Sequence, residues 1–289
     1  MNQPSLHLSL FLPVLLACEP PPEGGPQGAA EPTSTTPTAS GGCVLTANTT
    51  AGAAHGSGCA LLTRDTSGCR ATREASGLSG FWLDLSCRVE LSVDGDVVVA
   101  EADGLPDHLS NYFNDGDACH EAYTSAIQNP NLISTQEYAV RFPRTADSEP
   151  TNMGGTAVVG LALNGVAIFG NFAAPGDDIF EEARTFDRCA GHPQNRGVYH
   201  YHSEPYSITQ DDASFVGVMR DGSPIYGRRD QDGSLPELDA YGGHTGITPH
   251  SDTPVYHYHV HSQTSSGGET QWFLTSGWFR GTPGSCDGC

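Results

Sequence analysis

Tyr-His-Tyr-His stands at residues 199–202 and again at 256–259, each copy preceded by valine. On an extended strand successive side chains alternate between faces. His200 and His202 therefore point one way, and Tyr199 and Tyr201 the other. His257 and His259 repeat the arrangement, and His261 extends it. Imidazoles at i and i+2 have Cα atoms roughly 6.5–7 Å apart, close enough to converge on one cation. Neutral imidazole suits zinc and copper. Two Gly-His corners, ending in His192 and His244, stand ahead of these strands and are candidate further ligands. If the two strands face each other about a pseudo-twofold axis, His200, His202, His257 and His259 line one cleft. The tyrosines belong in the core, each hydroxyl needing a partner.

These residues admit three uses. One is a binding site for a transition metal, zinc or copper. A second is a metalloenzyme, in which three imidazoles leave a position for water, giving a hydrolase, or an oxidase with copper. The third is a structural or adhesive surface module whose histidines only pack and hydrogen-bond. Glu204 and Asp187 are acids near the histidines, suited to supporting them or to acting as bases. Acids at 230, 232, 237 and 239 surround a glycine, a weak calcium signal without EF-hand spacing. His108 and His250 are lesser ligand candidates, and His120 reads as structural. No G-x-S-x-G elbow, phosphate loop or H-E-x-x-H occurs.

The elements that must carry the histidines come as a repeat. "VGLALNGVAIFG" (159–170) matches "VGVMRDGSPIYG" (216–227), the same 57 positions apart as the tetrapeptides. "FDRCAGH" (186–192) parallels "LDAYGGH" (238–244). Each unit reads as strand, turn, strand, Gly-His corner and Tyr-His strand. Two copies predict a pseudo-twofold domain. "CRVELSVDGDVVVAEADGLP" (87–106) predicts a hairpin about Asp94-Gly95. Residues 117–127 and 177–186 each predict a short helix. With 35 glycines and 20 prolines, the fold class is mainly β, a single domain of two pseudo-symmetric strand–turn–strand repeats with a few short helices.

The N-terminal run "LHLSLFLPVLLAC" ends in Leu-Leu-Ala-Cys and resembles a bacterial lipobox, with Cys18 as the lipidated residue, although no Arg or Lys precedes it. Residues 1–18 are thus a lipoprotein-type signal segment, and 19–42, without a large apolar residue, a disordered Pro/Gly/Thr linker. Residues 43–86 form a Cys-rich extension, and 87–289 the main domain. The expected place is the bacterial cell envelope, as an outer-membrane or surface lipoprotein, with secretion as the alternative; the expected partners are the membrane, through the lipid, and a metal ion. The sequence names no protein partner. Net charge is −21, from 34 acids and 13 bases, every base an arginine. Such a surface repels phosphate backbones and excludes nucleic acid as a partner. The remaining cysteines, Cys43, Cys59, Cys69, Cys87, Cys119, Cys189, Cys286 and Cys289, are even in number and predict disulfides, with their pairing open.

Taken together and in order, "DGLPDH" (103–108), "NPNLISTQEY" (129–138), "GLALNGVAIF" (160–169), "CAGHPQNRGVYHYH" (189–202), "DGSPIYG" (221–227), "GGHTG" (242–246), "VYHYH" (255–259) and "FRG" (279–281) resemble the YHYH domain family of bacteria and eukaryotes over about residues 87–286. The resemblance implies an exported protein and carries no catalytic assignment. It also implies a cysteine before the second Gly-His and another before the final Phe-Arg-Gly. Here Tyr241 and Trp278 stand in those places, and an aromatic contact is the expected substitute for a bridge.

Overall fold

The repeat unit builds one half of an eight-stranded sheet. Its strands are Val158–Ala162 (β1), Ala167–Phe169 (β2), Gly191–Pro193 (β3), Tyr199–Tyr201 (β4), Phe215–Met219 (β5), Pro224–Tyr226 (β6), Gly243–Thr248 (β7) and Ser251–His259 (β8). Their order across the sheet is β7-β8-β6-β5-β1-β2-β4-β3. Each half is the mirror of the other in this order, as a twofold axis between β5 and β1 requires. The register fixes the axis. Val218 pairs with Leu161, its own equivalent 57 positions earlier. Only a self-paired position can lie on a twofold. Gly217 and Gly160 flank it, and a Cβ at either would drive into the facing strand's carbonyl. Glycine lets the two halves approach at the seam.

Within each half the same local devices recur. Asn164-Gly165 and Asp221-Gly222 make the predicted turns, with Gly165 at φ +88° and Gly222 at φ +85°. Side-chain oxygens of Asn164 and Asp221 accept the N–H of Val166 and Ser223. At the Gly-His corners Asp187 accepts from Cys189 and Gly191 N–H, and Asp239 from Tyr241 and Gly243 N–H. Each corner folds its chain into an antiparallel pair that sets His192 opposite His200 and His244 opposite His257.

The computed structural model describes residues 50–51, 58–155, 157–173 and 177–289. The expected signal segment, linker, Cys18, Cys43 and His55 lie outside the described residues. The fold is mainly β with few short helices, as the pattern predicts. A second antiparallel sheet, ordered Cys286–Asp287, Tyr138–Pro143, Val97–Ala102 and Glu90–Asp94, contains the predicted hairpin, with Asp94 paired to Val97. Val98, Ala100, Val140 and Phe142 from this sheet share a core with Leu161, Phe169, Val218 and Tyr226 of the large one. Trp82, Leu83 and Leu85 of the Cys-rich segment join that core. The opposite face packs Ile168, Tyr199, Tyr201, Ile225 and Tyr258 against Leu105, Tyr112, Phe113 and Met153. Buried on both faces, β1 and β5 read as continuous apolar runs rather than as alternation.

Two helix expectations divide. Residues 179–185 do form a short α turn, Ile179–Glu182, continued by Ala183–Thr185; Asp178 caps it by accepting Phe180 N–H at 2.9 Å. Residues 117–127 do not form a helix. The Asp117 carboxylate takes the Cys119 N–H at 2.8 Å, Cys119 is disulfide-bonded, and the backbone from 119 to 121 pairs with Ser110 instead. A helix at Arg70–Ala75 was not signalled; its Arg73 side chain is buried, donating to the carbonyls of Ser86 and Val89.

Disulfides join Cys59–Cys189, Cys69–Cys87 and Cys286–Cys289. The terminal Cys-x-x-Cys is itself a bridge. Tyr241 and Trp278 rings meet edge-on with centroids 6.5 Å apart.

Candidate metal centres

Strand alternation places the tetrapeptides as expected. Tyr199, Tyr201 and Tyr258 are buried in one core, and their hydroxyls find partners. Tyr199 donates to Asp187 at 2.8 Å, and Tyr258 to Asp221 at 2.6 Å. Tyr201 meets His108 Nε2 at 3.1 Å and accepts from Asn164 at 3.2 Å. The histidines lie on the other face.

They do not meet in one cleft. Between β4 and β8 stand β2, β1, β5 and β6, five strand spacings or about 24 Å at ~4.8 Å each. The expectation of one four-histidine site across the axis is corrected to two clusters, each made within one repeat. The reason is the sheet order: the twofold runs between β1 and β5, which places the Tyr-His strands at opposite ends of the sheet, each one strand in from the edge.

The first cluster is Glu182, His192, His200 and His202; the second is Asp230, His244, His257 and His259. In each, the four ligand atoms lie within 4.8 Å of one another and could hold a metal ion. In the first, His200 Nε2 is 3.0 Å from both His192 Nε2 and His202 Nε2, and Glu182 Oε1 is 3.4 Å from His192 Nε2. In the second, Asp230 Oδ1 lies 3.1, 3.6 and 3.4 Å from the Nε2 atoms of His244, His257 and His259, and His244 Nε2 is 3.2 Å from His259 Nε2.

In five of the six rings, all but His244, the opposite ring nitrogen is committed. His200 Nδ1–H donates to Val198 O at 3.0 Å and His202 Nδ1–H to Gly170 O at 2.6 Å. Their equivalents use equivalent carbonyls: His257 donates to Val255 O at 3.0 Å and His259 to Gly227 O at 2.7 Å. His192 Nδ1 meets Thr185 Oγ1 at 2.6 Å, while the Thr185 hydroxyl proton goes to Glu182 O. His192 Nδ1 also lies 3.3 Å from the Asn129 amide nitrogen; in the tautomer that gives its proton to the nearer Thr185 Oγ1, all three Nδ1 protons of the first cluster are spent on oxygen. Its Nε2 atoms carry lone pairs, aimed at one another at hydrogen-bond distance with no proton to share.

Burial favours the neutral form of His192, His200, His202, His257 and His259. It pushes His192 and His200 well below the usual imidazole range, aided by neighbouring histidines, and takes His202 down to about 4. His257 is lowered by burial, and His259 falls to about 4 for the same reason. Glu182 moves the other way, up to about 7, from burial and the Asp177 charge. Its Oε2 is buried with no hydrogen-bond partner.

The remaining candidates fall elsewhere. Glu204 is spent on a buried ion pair with Arg228, whose guanidinium lies 3.9 Å over the Trp272 ring. Asp187 holds Tyr199 and Ser110. Neither acid reaches a cluster. His250 bridges Tyr226 and Asp84, both at 2.8 Å, and His120 faces Asp115 at 3.3 Å. His261 donates to His259 O and meets Gln263. His108 stands beside Cys59 and Cys189, which are disulfide-bonded to each other and have no thiolate to offer. Glu182 and Asp230 were not recognised as partners of the histidines. Asp230 belongs to the stretch read as a weak calcium turn, and Glu182 to the short helix. They stand 10 and 14 residues ahead of His192 and His244, so the repeat spacing does not flag them.

The molecule is a mainly β protein with an internal repeat and one histidine-rich cluster in each half. Residues 137–235 match the family described as YHYH protein, and the chain contains a YHYH domain. The match takes in the whole first cluster and Asp230, and ends before the second tetrapeptide. No curated protein and no solved structure matches the chain.

Proposed function

We propose that this protein is a lipid-anchored envelope protein that binds transition-metal ions at two separate centres, one in each repeat. The observation that carries the reading is the first cluster's crowded lone pairs. In the tautomer with the His192 proton on Nδ1, three unprotonated Nε2 atoms crowd together, those of His192 and His202 each 3.0 Å from that of His200, and repel unless a cation lies between them. A proton is a poor cation there, because burial disfavours imidazolium. A metal ion satisfies the three lone pairs and the orphaned Glu182 carboxylate together.

Zinc fits the spacing best. Arms of 2.0–2.1 Å in a tetrahedron give edges of about 3.3 Å, against 3.1–3.6 Å from Asp230 to the three imidazoles of the second cluster; in the first, three contacts are 3.0–3.4 Å and all four atoms lie within 4.8 Å. A square-planar copper(II) set would place one ligand about 4 Å across from Asp230; all three imidazoles instead lie within 3.6 Å of it. Four protein ligands also favour binding over hydrolysis, since a catalytic zinc keeps a position for water. The Leu-Leu-Ala-Cys run at 15–18 supports a lipid anchor, and the disulfides suit an oxidising compartment. Among the described residues, no helix is long and apolar enough to cross a membrane.

Elemental analysis of untagged protein tests the metal reading. The expected result is two zinc ions per chain after exposure to zinc. A preparation that is metal-free and ignores added zinc and copper rejects it.

A further inference from the structure

The two centres are equivalent by position and different in cover. We infer that they divide their work: the first holds a fixed ion that ties the fold together, and the second holds an exchangeable ion, the transition-metal cargo the protein takes up and gives out. This rests on the metal reading above.

The rings decide it. The His192 side chain is 3% exposed, whereas its counterpart His244 is 21% exposed. In the first centre Phe169 stacks on His200 at 3.8 Å, and Phe186 meets His192 edge-on at 4.9 Å and lies parallel to His202 at 6.1 Å. The repeat replaces both covers. Phe169 becomes Tyr226, which turns its hydroxyl to His250 and meets His257 only edge-on at 5.4 Å. Phe186 becomes Leu238, half-exposed on the acidic loop.

The ligands are also held differently. His192 Nδ1 is pinned by Thr185. His244 Nδ1 has no hydrogen-bond partner among the described residues. Gln194 of the first half is replaced by Gly246, where a Cβ would sit 3.0 Å from His244 Cε1 and 3.4 Å from His257 Cε1. The wall beside those ring edges is bare backbone. Asp230 starts a short loop closed by Asp230–Ser234 and Gly233–Asp230 hydrogen bonds and tied through Arg229, which donates to Gly233 O and pairs with Asp211. Release of a bound ion begins with the departure of its least restrained ligand. The acids do not differ in cover, Glu182 being 23% and Asp230 21% exposed; the second centre offers one such ligand, His244, where the first clamps His192 and covers its rings.

Zinc release into excess EDTA, followed with a chromophoric indicator, tests this on the full chain. The expected trace has two phases of equal amplitude, the fast one at least about tenfold quicker, the size that support of a ligand usually carries. His244→Ala should remove the fast phase alone and leave the thermal midpoint of the folded chain in place. Glu182→Gln should speed the slow phase and lower that midpoint. A single phase for two bound ions, or a fast phase that survives His244→Ala and disappears with Glu182→Gln, overturns the division of labour and leaves two metal centres standing. Failure to take up zinc at all rejects the metal reading itself.

Discussion

Proton competition at the first centre can be worked out from its own groups. Consider zinc binding to the His244→Ala variant, which isolates this centre, between pH 7.5 and 5.5. A surface site of three imidazoles at the ordinary 6.5 loses about tenfold per ring at pH 5.5, or about 1000-fold in all, with three protons displaced per ion. The buried rings behave otherwise. His202, lowered to about 4, is neutral throughout the range, and His192 and His200 are also pushed down. Glu182 is the group that titrates. Raised to about 7, it is mostly ionised at pH 7.5 and must lose a proton to bind zinc at pH 5.5. That single group predicts a fall in affinity of about 25-fold. The sign follows from the direction of each shift: a lowered imidazole does not hinder binding until the pH nears its folded value, and a raised carboxylate hinders it as soon as the pH drops below 7. Competition with a chromophoric chelator gives the affinities, and calorimetry in buffers of different ionisation enthalpy counts the protons. Glu182→Gln should flatten the profile. A 1000-fold fall with three protons released would refute the argument, because the rings would then be ordinary, accessible imidazoles.

Other perturbations test the frame that holds the centres. Arg228→Met should destabilise the fold by about 3–5 kcal/mol in urea titration, since it leaves Glu204, 1% exposed, as an unpaired buried charge; adding Glu204→Gln should recover most of the loss. Gly217→Ala should cost about 1–3 kcal/mol and lower the thermal midpoint, because its methyl meets the Leu161 carbonyl across the twofold seam. Reducing Cys59–Cys189, whose partners are 130 residues apart, should destabilise the chain by about 4–5 kcal/mol if the bridge acts on the unfolded ensemble; a Cys59→Ala/Cys189→Ala variant of unchanged midpoint would contradict this.

The sequence was legible wherever a local rule was sufficient. Alternation assigned Tyr199 and His200 to opposite faces, and the Asn164-Gly165 and Asp221-Gly222 turns followed from residues that tolerate positive φ. The 57-residue repeat announced a twofold. What it did not announce was which strands lie on the axis. Placing β1 and β5 there depends on Gly160 and Gly217 permitting close approach, a pairing that periodicity cannot express. The helix expected at 117–127 failed for a similar reason: Asp117 turns onto Cys119 and a disulfide fixes the backbone.

The same distinction separates the ligands that were legible from those that were not. A strand bearing His-x-His, faced across one antiparallel register by a Gly-His corner, delivers three imidazoles to a point, because His192 pairs directly with His200 and His244 with His257. The carbonyls that orient the rings are equally part of the repeat, Val198 and Gly170 in one half, Val255 and Gly227 in the other. The sheet thus fixes three ligands twice over. The fourth must come from outside it, from a helical turn in one half and an acidic loop in the other. Loops can differ in length and chemistry without disturbing the register, so the two halves can keep one imidazole geometry and still differ in how firmly they hold an ion.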